Sequence, residues 1–163
     1  MLFRSALPTE AQWEYAARER GLFVAYPAHH MPEVRWASQY IPYFNSLDEG
    51  LRVIVSRVHP TDYITPRPPG MYGANRIGMQ DVIGSTSEWV GDWYDADYYK
   101  SAPNRNPQGP DKKGIVRSIR GGSWHSPIGD IRAAARGKGG FALQTHGTGF
   151  RCARGAEGET SKK

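Results

Sequence analysis

The sequence predicts an α+β domain with short strands, one or two helices and much irregular structure. Three observations predict it. A single strongly capped helix stands near the start, and short alternating strand segments lie in the second half. Gly 19 and Pro 12 in 163 residues require many turns and leave little room for long regular elements. The length suits one domain with one core. Hydrophobic residues are only 39%, and five Trp and nine Tyr supply the bulk that a core needs.

The helix is read from Leu7-Pro8-Thr9-Glu10-Ala11-Gln12-Trp13-Glu14-Tyr15-Ala16-Ala17-Arg18. Thr9 is its N-cap, and Gln12, three residues on, completes a capping box. Leu7 and Pro8 staple onto the first turn near Trp13. Trp13, Ala16, Ala17 and Arg20 share one face, and Gly21 is the expected stop. Residues 22–74 are broken by repeated X-Pro steps, each pushing the preceding residue to extended geometry. Only Leu51–Val58 reads there as a strand. Residues 75–99 form a dense aromatic and acidic segment, and 101–114 a Pro, Asn and Gly rich surface loop. Ile115–Arg120 alternates as a strand, and Gly121-Gly122 then bends the chain where backbone meets backbone. Ile131–Arg136 reads as a short strand or a helical turn, and Gly149–Arg154 as a final strand. Arg132, Arg136 and Arg151 are expected to find carboxylate partners among Asp81, Glu88 and Asp92.

The domain is placed at residues 7–154. Residues 1–6 read as a non-native or truncated leader, because Leu2-Phe3-Arg4-Ser5 is one translation of a common sequencing adapter. That predicts a truncated metagenomic reading frame. Residues 155–163 are a polar tail.

The net charge is +5, but the basic residues are scattered singly among acids. A nucleic-acid groove needs a clustered stripe, so no nucleic-acid partner is expected. No run approaches the 18 apolar residues of a membrane span. The single cysteine, Cys152, excludes an intrachain disulfide and a thiolate metal cluster. It leaves both sides of a membrane open, the cell surface included.

Five ordered blocks carry a family resemblance. They are the helix motif from Leu7 to Arg18, the run from Asn75-Arg76-Ile77-Gly78 to Ser85-Thr86-Ser87-Glu88-Trp89, and Asp92-Trp93-Tyr94 with Asn106-Pro107 and Gly109-Pro110. Arg120-Gly121-Gly122-Ser123-Trp124 follows, and then Arg132–Arg136 with Gly149-Phe150-Arg151-Cys152. Together they resemble the formylglycine-generating-enzyme, or sulfatase-modifying-factor, superfamily. The resemblance implies a C-type-lectin-like fold.

It also implies a copper centre held by two cysteines five residues apart before the A-A-R block. The matching positions are Ile128 and Ala133, and neither binds Cu(I), which soft thiolates select. Cys152 is expected to be a small buried hydrophobe. His29, His30, His59, His125 and His146 have no metal-ligand spacing, although His125 and His146 are expected to face one groove. The family's structural Ca²⁺ would fall at Ser85 and Glu88. Ser85 stands where the family has asparagine, so that site is weakened.

The segment from His125 to Thr148 is therefore the expected binding surface. Its contact residues are His125, Ser126, Ile128, Asp130, Lys138, Phe141, Leu143, Gln144 and His146. The same residues also suit ordinary loop filling. The resemblance thus implies a non-catalytic, lectin-like domain that binds a protein or a small ligand. A variable protein of a diversity-generating retroelement is one form of it. The alternative is a metal-dependent oxidase or oxygenase-like enzyme of the sulfatase-modifying type.

Overall fold

Thr9 starts helix α1, Glu10–Ala17, as the capping box requires: its hydroxyl accepts the Gln12 N–H, and Gln12 Oε1 accepts the Thr9 N–H at 2.9 Å. The computed structural model describes residues 5–26, 68–70, 73–124, 126, 129–140, 142–143 and 145–154. The strand expected at Leu51–Val58, the tail, and His29, His30 and His59 lie outside these residues. α1 ends at Ala17, before Gly21. Glu19, Arg20 and Gly21 all take positive φ, and Glu19 Oε1 accepts the Arg76 N–H, so a tertiary contact ends the helix early. Asn75 Nδ2 donates to the Ala16 carbonyl, satisfying one of the open acceptors at that end.

Among the described residues four strands form one mixed sheet: β1 (Ser87–Trp93), β2 (Val116–Arg120), β3 (Gly137–Gly140) and β4 (Thr148–Phe150). Their order is β3-β2-β1-β4, with β4 parallel to β1 and the other pairs antiparallel. A short 3-10 turn, Tyr98–Lys100, follows β1. Ala6 pairs with Ala153 through two backbone bonds of 3.0 and 2.8 Å, which ties residue 6 to the end of the domain.

Strand β2 lies one residue inside its expected span, and β4 covers only the start of Gly149–Arg154. Ile131–Arg136 is an irregular turn and not a strand. Its carbonyls are used from the side: Ala133 and Ala135 both accept from the Arg120 guanidinium. Strands β1 and β3 escape pattern reading. On β1 the residues turned toward α1 are Glu88, Val90 and Asp92, so two of the three buried positions are acidic. β3 is Gly-Lys-Gly-Gly, with no apolar period. It is glycine for steric reasons, since a Cβ on Gly139 would lie 2.6–2.7 Å from Leu143, Trp89 and Ile119.

Among the described residues the buried apolar cluster is Trp13, Ala17, Val82, Ile83, Val90 and Ala133, with Tyr26 and Met79 packed against it. Between α1 and the sheet, ionic contacts do much of the joining. Trp13 Nε1 donates to Glu88 Oε2 at 2.7 Å, and Arg151 forks onto the same carboxylate. Arg136 grips Glu10 through Nε at 2.7 Å and Nη2 at 2.9 Å, while Ser118 donates to Glu10 Oε2. Arg120, wholly buried, donates to Glu14 at 2.6 Å and stacks near Trp13. Burial lowers the Arg120 pKa, opposed by Glu14 and Glu10. At Arg136 burial acts in the same downward sense, but the hydrogen bonds and charge of Glu10 outweigh it and raise the pKa.

The expected arginine partners are therefore corrected. Arg151 pairs with Glu88 as expected. Arg136 pairs with Glu10, a helix residue. Arg132 is exposed, and among the described residues it bonds the nearby Gly129 carbonyl and no carboxylate.

Candidate functional site

Four chain segments converge at one end of the sheet: the start of β1 at Ser87, the end of β2 at Ile119, and the starts of β3 and β4 at Gly137 and Thr148. Ser123, Ser126 and Asp130 after β2, and Leu143, Thr145 and Gly147 after β3, line a cavity of about 340 Å³ at this end. That is within the size of small-molecule sites, roughly 300–1,000 Å³. Gly121 and Gly122 form its floor at φ 89 and 65. A Cβ on Gly121 would sit 2.9 Å from the Val82 carbonyl, and one on Gly122 2.9 Å from the Asp130 carbonyl. The expected close approach of backbones is thus real, and it fixes where the 129–131 turn lies.

Ser126, Asp130, Lys138 and Leu143, all expected on the binding surface, line this cavity. His146 is exposed between two lining residues, Thr145 and Gly147. His125, Ile128, Phe141 and Gln144 lie outside the described residues. Thr145, Thr148 and Arg136 line the cavity from within the expected 125–148 segment, whereas the hydroxyls Ser87 and Ser123 lie outside that segment and were missed by sequence reading. The hydroxyls are paired: Ser123 Oγ with Ser126 Oγ at 3.2 Å, and Thr145 Oγ1 with Thr148 Oγ1 at 2.8 Å. Arg136 lies 5.0 Å from the Tyr94 ring and 4.9 Å from that of Tyr99, and Lys138 Nζ lies 5.5 Å from Tyr94. Burial, with the nearby Glu10 and Asp92 charges, pushes the Tyr99 hydroxyl pKa upward.

The two metal expectations meet different surroundings. Ala133 is a core methyl, fully buried against Trp13 and Val90, and brings no donor to the cavity. Ser85 is buried, and its carbonyl accepts the Trp124 N–H. Both Glu88 oxygens are held by Arg151, and one also by Trp13. A Ca²⁺ ion seeks several uncommitted oxygens, so these residues do not fit it. Cys152, expected to be buried, is exposed. The chain has left β4 by residue 152, and the thiol lines a separate groove beside Leu7, Pro8 and Trp13.

Asp92 lies just behind the site. Its Oδ2 accepts the Glu10 N–H at 2.6 Å, a cap on α1 supplied from β1, while the buried Oδ1 has no hydrogen-bond partner among the described residues. Burial raises its pKa above 3.8, assisted by Glu10 and opposed by the N–H bond and the arginines. The folded chain holds this proton more tightly than the unfolded chain. Stability is therefore lost as pH rises from 3.8 through the folded value. Asp92→Asn keeps an acceptor for the Glu10 N–H and removes the titration. The variant is expected to show a flatter dependence of Tm on pH over that range, measured by thermal denaturation. Equal slopes in the two proteins would refute this role.

Among the described residues no helix is long and apolar enough to cross a membrane. Residues 3–156 match the family described as the sulfatase-modifying factor enzyme 1-like domain. The chain is 32% identical over 160 residues to the formylglycine-generating enzyme of Streptomyces coelicolor, covering 93% of this chain and 47% of that protein. It is 31% identical over 153 residues to serine/threonine-protein kinase pkn1 of Chlamydia caviae, covering 93% of this chain and 21% of that protein. PvdO from Pseudomonas aeruginosa superposes with a TM-score of 0.67 at 24% identity, covering 93% of this chain and 52% of PvdO. Treponema denticola variable protein 1 superposes with a TM-score of 0.63 at 22% identity, covering 92% and 47%. The chain thus spans about half the length, or less, of these relatives. The fold is α+β and C-type-lectin-like, as the ordered blocks implied. With its helix motif, acidic strand, double-glycine bend and closing arginine block all in place, the chain belongs to the sulfatase-modifying factor enzyme 1-like domain family.

Proposed function

We propose that the chain is a non-catalytic, lectin-like binding domain whose ligand, a small molecule or a protein segment, docks in the sheet-end cavity. One observation carries this reading. The cavity gathers hydroxyls, charged side chains and apolar residues from separate loops, and no described lining residue is a thiol. The sole cysteine faces another groove. Copper oxidation of a substrate cysteine needs soft sulfur ligands, and neither Ile128 nor Ala133 supplies one. The fold shared with Treponema denticola variable protein 1 is compatible with a binding role.

The test is incubation of the purified chain with a sulfatase-type cysteine peptide, followed by mass spectrometry with and without added copper. The peptide is expected to remain unchanged. Conversion of its cysteine to formylglycine would overturn the reading. Stoichiometric iron or copper in the purified protein would favour the oxidase or oxygenase-like alternative. The retroelement form requires a near-identical template repeat and a reverse transcriptase beside the gene.

A further inference from the structure

The face of the sheet turned away from α1 carries a second concavity, which shares only Leu143 with the sheet-end cavity. Its volume is about 510 Å³, within the range of small-molecule sites. The alternation of β1 puts Trp89, Gly91 and Trp93 on this face, so a glycine between two indoles leaves a slot. Neither backbone nor packing demands that glycine. Gly91 is not among the glycines at positive φ. An added Cβ would meet the Pro8 and Leu7 carbonyls at 3.5 and 3.6 Å, which are ordinary contact distances. Gly139, by contrast, is glycine because Trp89 and Leu143 crowd it. Ala6, Leu7, Trp89 and Leu143 make the groove apolar. Phe150, the register partner of Trp89, is 68% exposed and extends the apolar face beyond it.

One charged side chain lines this groove. Arg117 on β2 stacks 3.8 Å from the Trp93 ring, and its Nη1 donates to the Gly91 carbonyl, which places the guanidinium at the slot. Among the described residues it makes no ion pair. Asp92 feels its charge, but that side chain is turned to the α1 side and caps the helix. We infer that the groove takes a fatty acid. Its hydrocarbon chain lies against Leu7, Trp89 and Leu143, and its carboxylate accepts from the open N–H groups of Arg117. A guanidinium carries five N–H donors in a fork that matches a carboxylate, and among the described residues only one is used. The lining disfavours other ligands. Besides Arg117 and the Trp89 indole, no lining side chain carries a polar group. The Gly91 N–H and carbonyl are already bonded, to the Pro8 carbonyl and to Arg117. A peptide or a sugar would bury polar groups here without partners, whereas an acyl chain has none. This site stands apart from the ligand proposed for the sheet-end cavity, and either assignment can fail alone.

Isothermal titration calorimetry of the purified chain with dodecanoate, below its micelle threshold, tests this. Dodecanol, dodecylammonium and acetate are the comparison probes. Saturable binding of one dodecanoate per chain is expected, with dodecanol weaker by about tenfold or more, the scale of a charged hydrogen bond. Dodecylammonium has the wrong charge and acetate lacks the chain, so both should bind more weakly still. Arg117→Gln keeps a donor for the Gly91 carbonyl. It should bring dodecanoate down to the level of dodecanol and leave dodecanol unchanged. Arg117→Lys should restore most of the difference. Gly91→Val fills the slot and should weaken dodecanoate and dodecanol together. Its Tm should not fall, since a Cβ fits there and a β-branched residue suits a strand. If valine prevents folding, Gly91→Ala, whose added carbon has room, makes the same test with a smaller expected loss. Absence of dodecanoate binding, several dodecanoates per chain or equal binding of dodecylammonium would overturn the inference. So would binding indifferent to the Arg117 and Gly91 variants.

Discussion

Replacing Arg120 with alanine is expected to cost about 3–5 kcal/mol, the range for breaking a buried ion pair from one side. The side chain is fully buried, and its guanidinium spans three elements at once. It donates to Glu14 on α1 and to the Ala133 and Ala135 carbonyls in the turn before β3. Alanine would leave Glu14 without this partner and two carbonyls open inside the protein. Each such group carries a desolvation penalty of roughly 1–3 kcal/mol. The guanidinium also packs 5.1 Å from the Trp13 ring, so a void would form against the core. Urea unfolding followed by tryptophan fluorescence measures the loss. Arg120→Lys keeps the charge but lacks the fork, and should fall between wild type and alanine. A loss under about 1 kcal/mol for alanine would show that this contact does not hold the helix on the sheet.

Gly122→Ala is the second large effect, expected at about 3 kcal/mol from left-handed backbone strain plus overpacking. The residue stands at φ 65, and the added methyl would meet Ile131 Cγ2 at 2.7 Å and the Asp130 carbonyl at 2.9 Å. Neither neighbour is the tip of a flexible chain. Ile131 is buried, and the Asp130 contact is backbone. The 129–131 turn must therefore shift, and Asp130 moves with it. Stability and cavity chemistry should fail together in this variant. Gly129→Ala is the control, since nothing lies within 4 Å of its added carbon, and its Tm should stay near wild type.

What the sequence revealed about this fold depended on how local each signal was. The α1 cap was legible because Thr9 and Gln12 bond each other. β2 was legible from its own alternation. β1 was not, because its inward positions Glu88 and Asp92 invert the usual pattern and make sense only against Trp13, Arg151 and the Glu10 N–H. β3 was hidden because its glycines answer to Trp89, Ile119 and Leu143. Within the site, Ser126, Asp130, Lys138 and Leu143 were found from their place between two blocks. Ser87 was not, since only its strand pairing with Thr148 brings it to the same sheet end. Glu10 offered one usable signal. It falls at i, i+3 and i+7 with Trp13 and Ala17, so the buried stripe of α1 contains a carboxylate and requires a cation from elsewhere.

The joints that fasten α1 reach far along the chain. Glu10 meets Asp92, Ser118 and Arg136 across 82, 108 and 126 residues, and Trp13 meets Glu88 across 75. During synthesis the helix emerges long before any of these partners. Eight residues are too few to hold a helix alone in water. Until Arg136 has cleared the ribosome, Trp13 lacks its burial and Glu10 its counter-ion. Closure is therefore a late step, and pairings of such high sequence separation fold slowly. A nascent chain of this domain should depend on chaperones or slow translation to keep its unpacked aromatics from aggregating before the last third arrives.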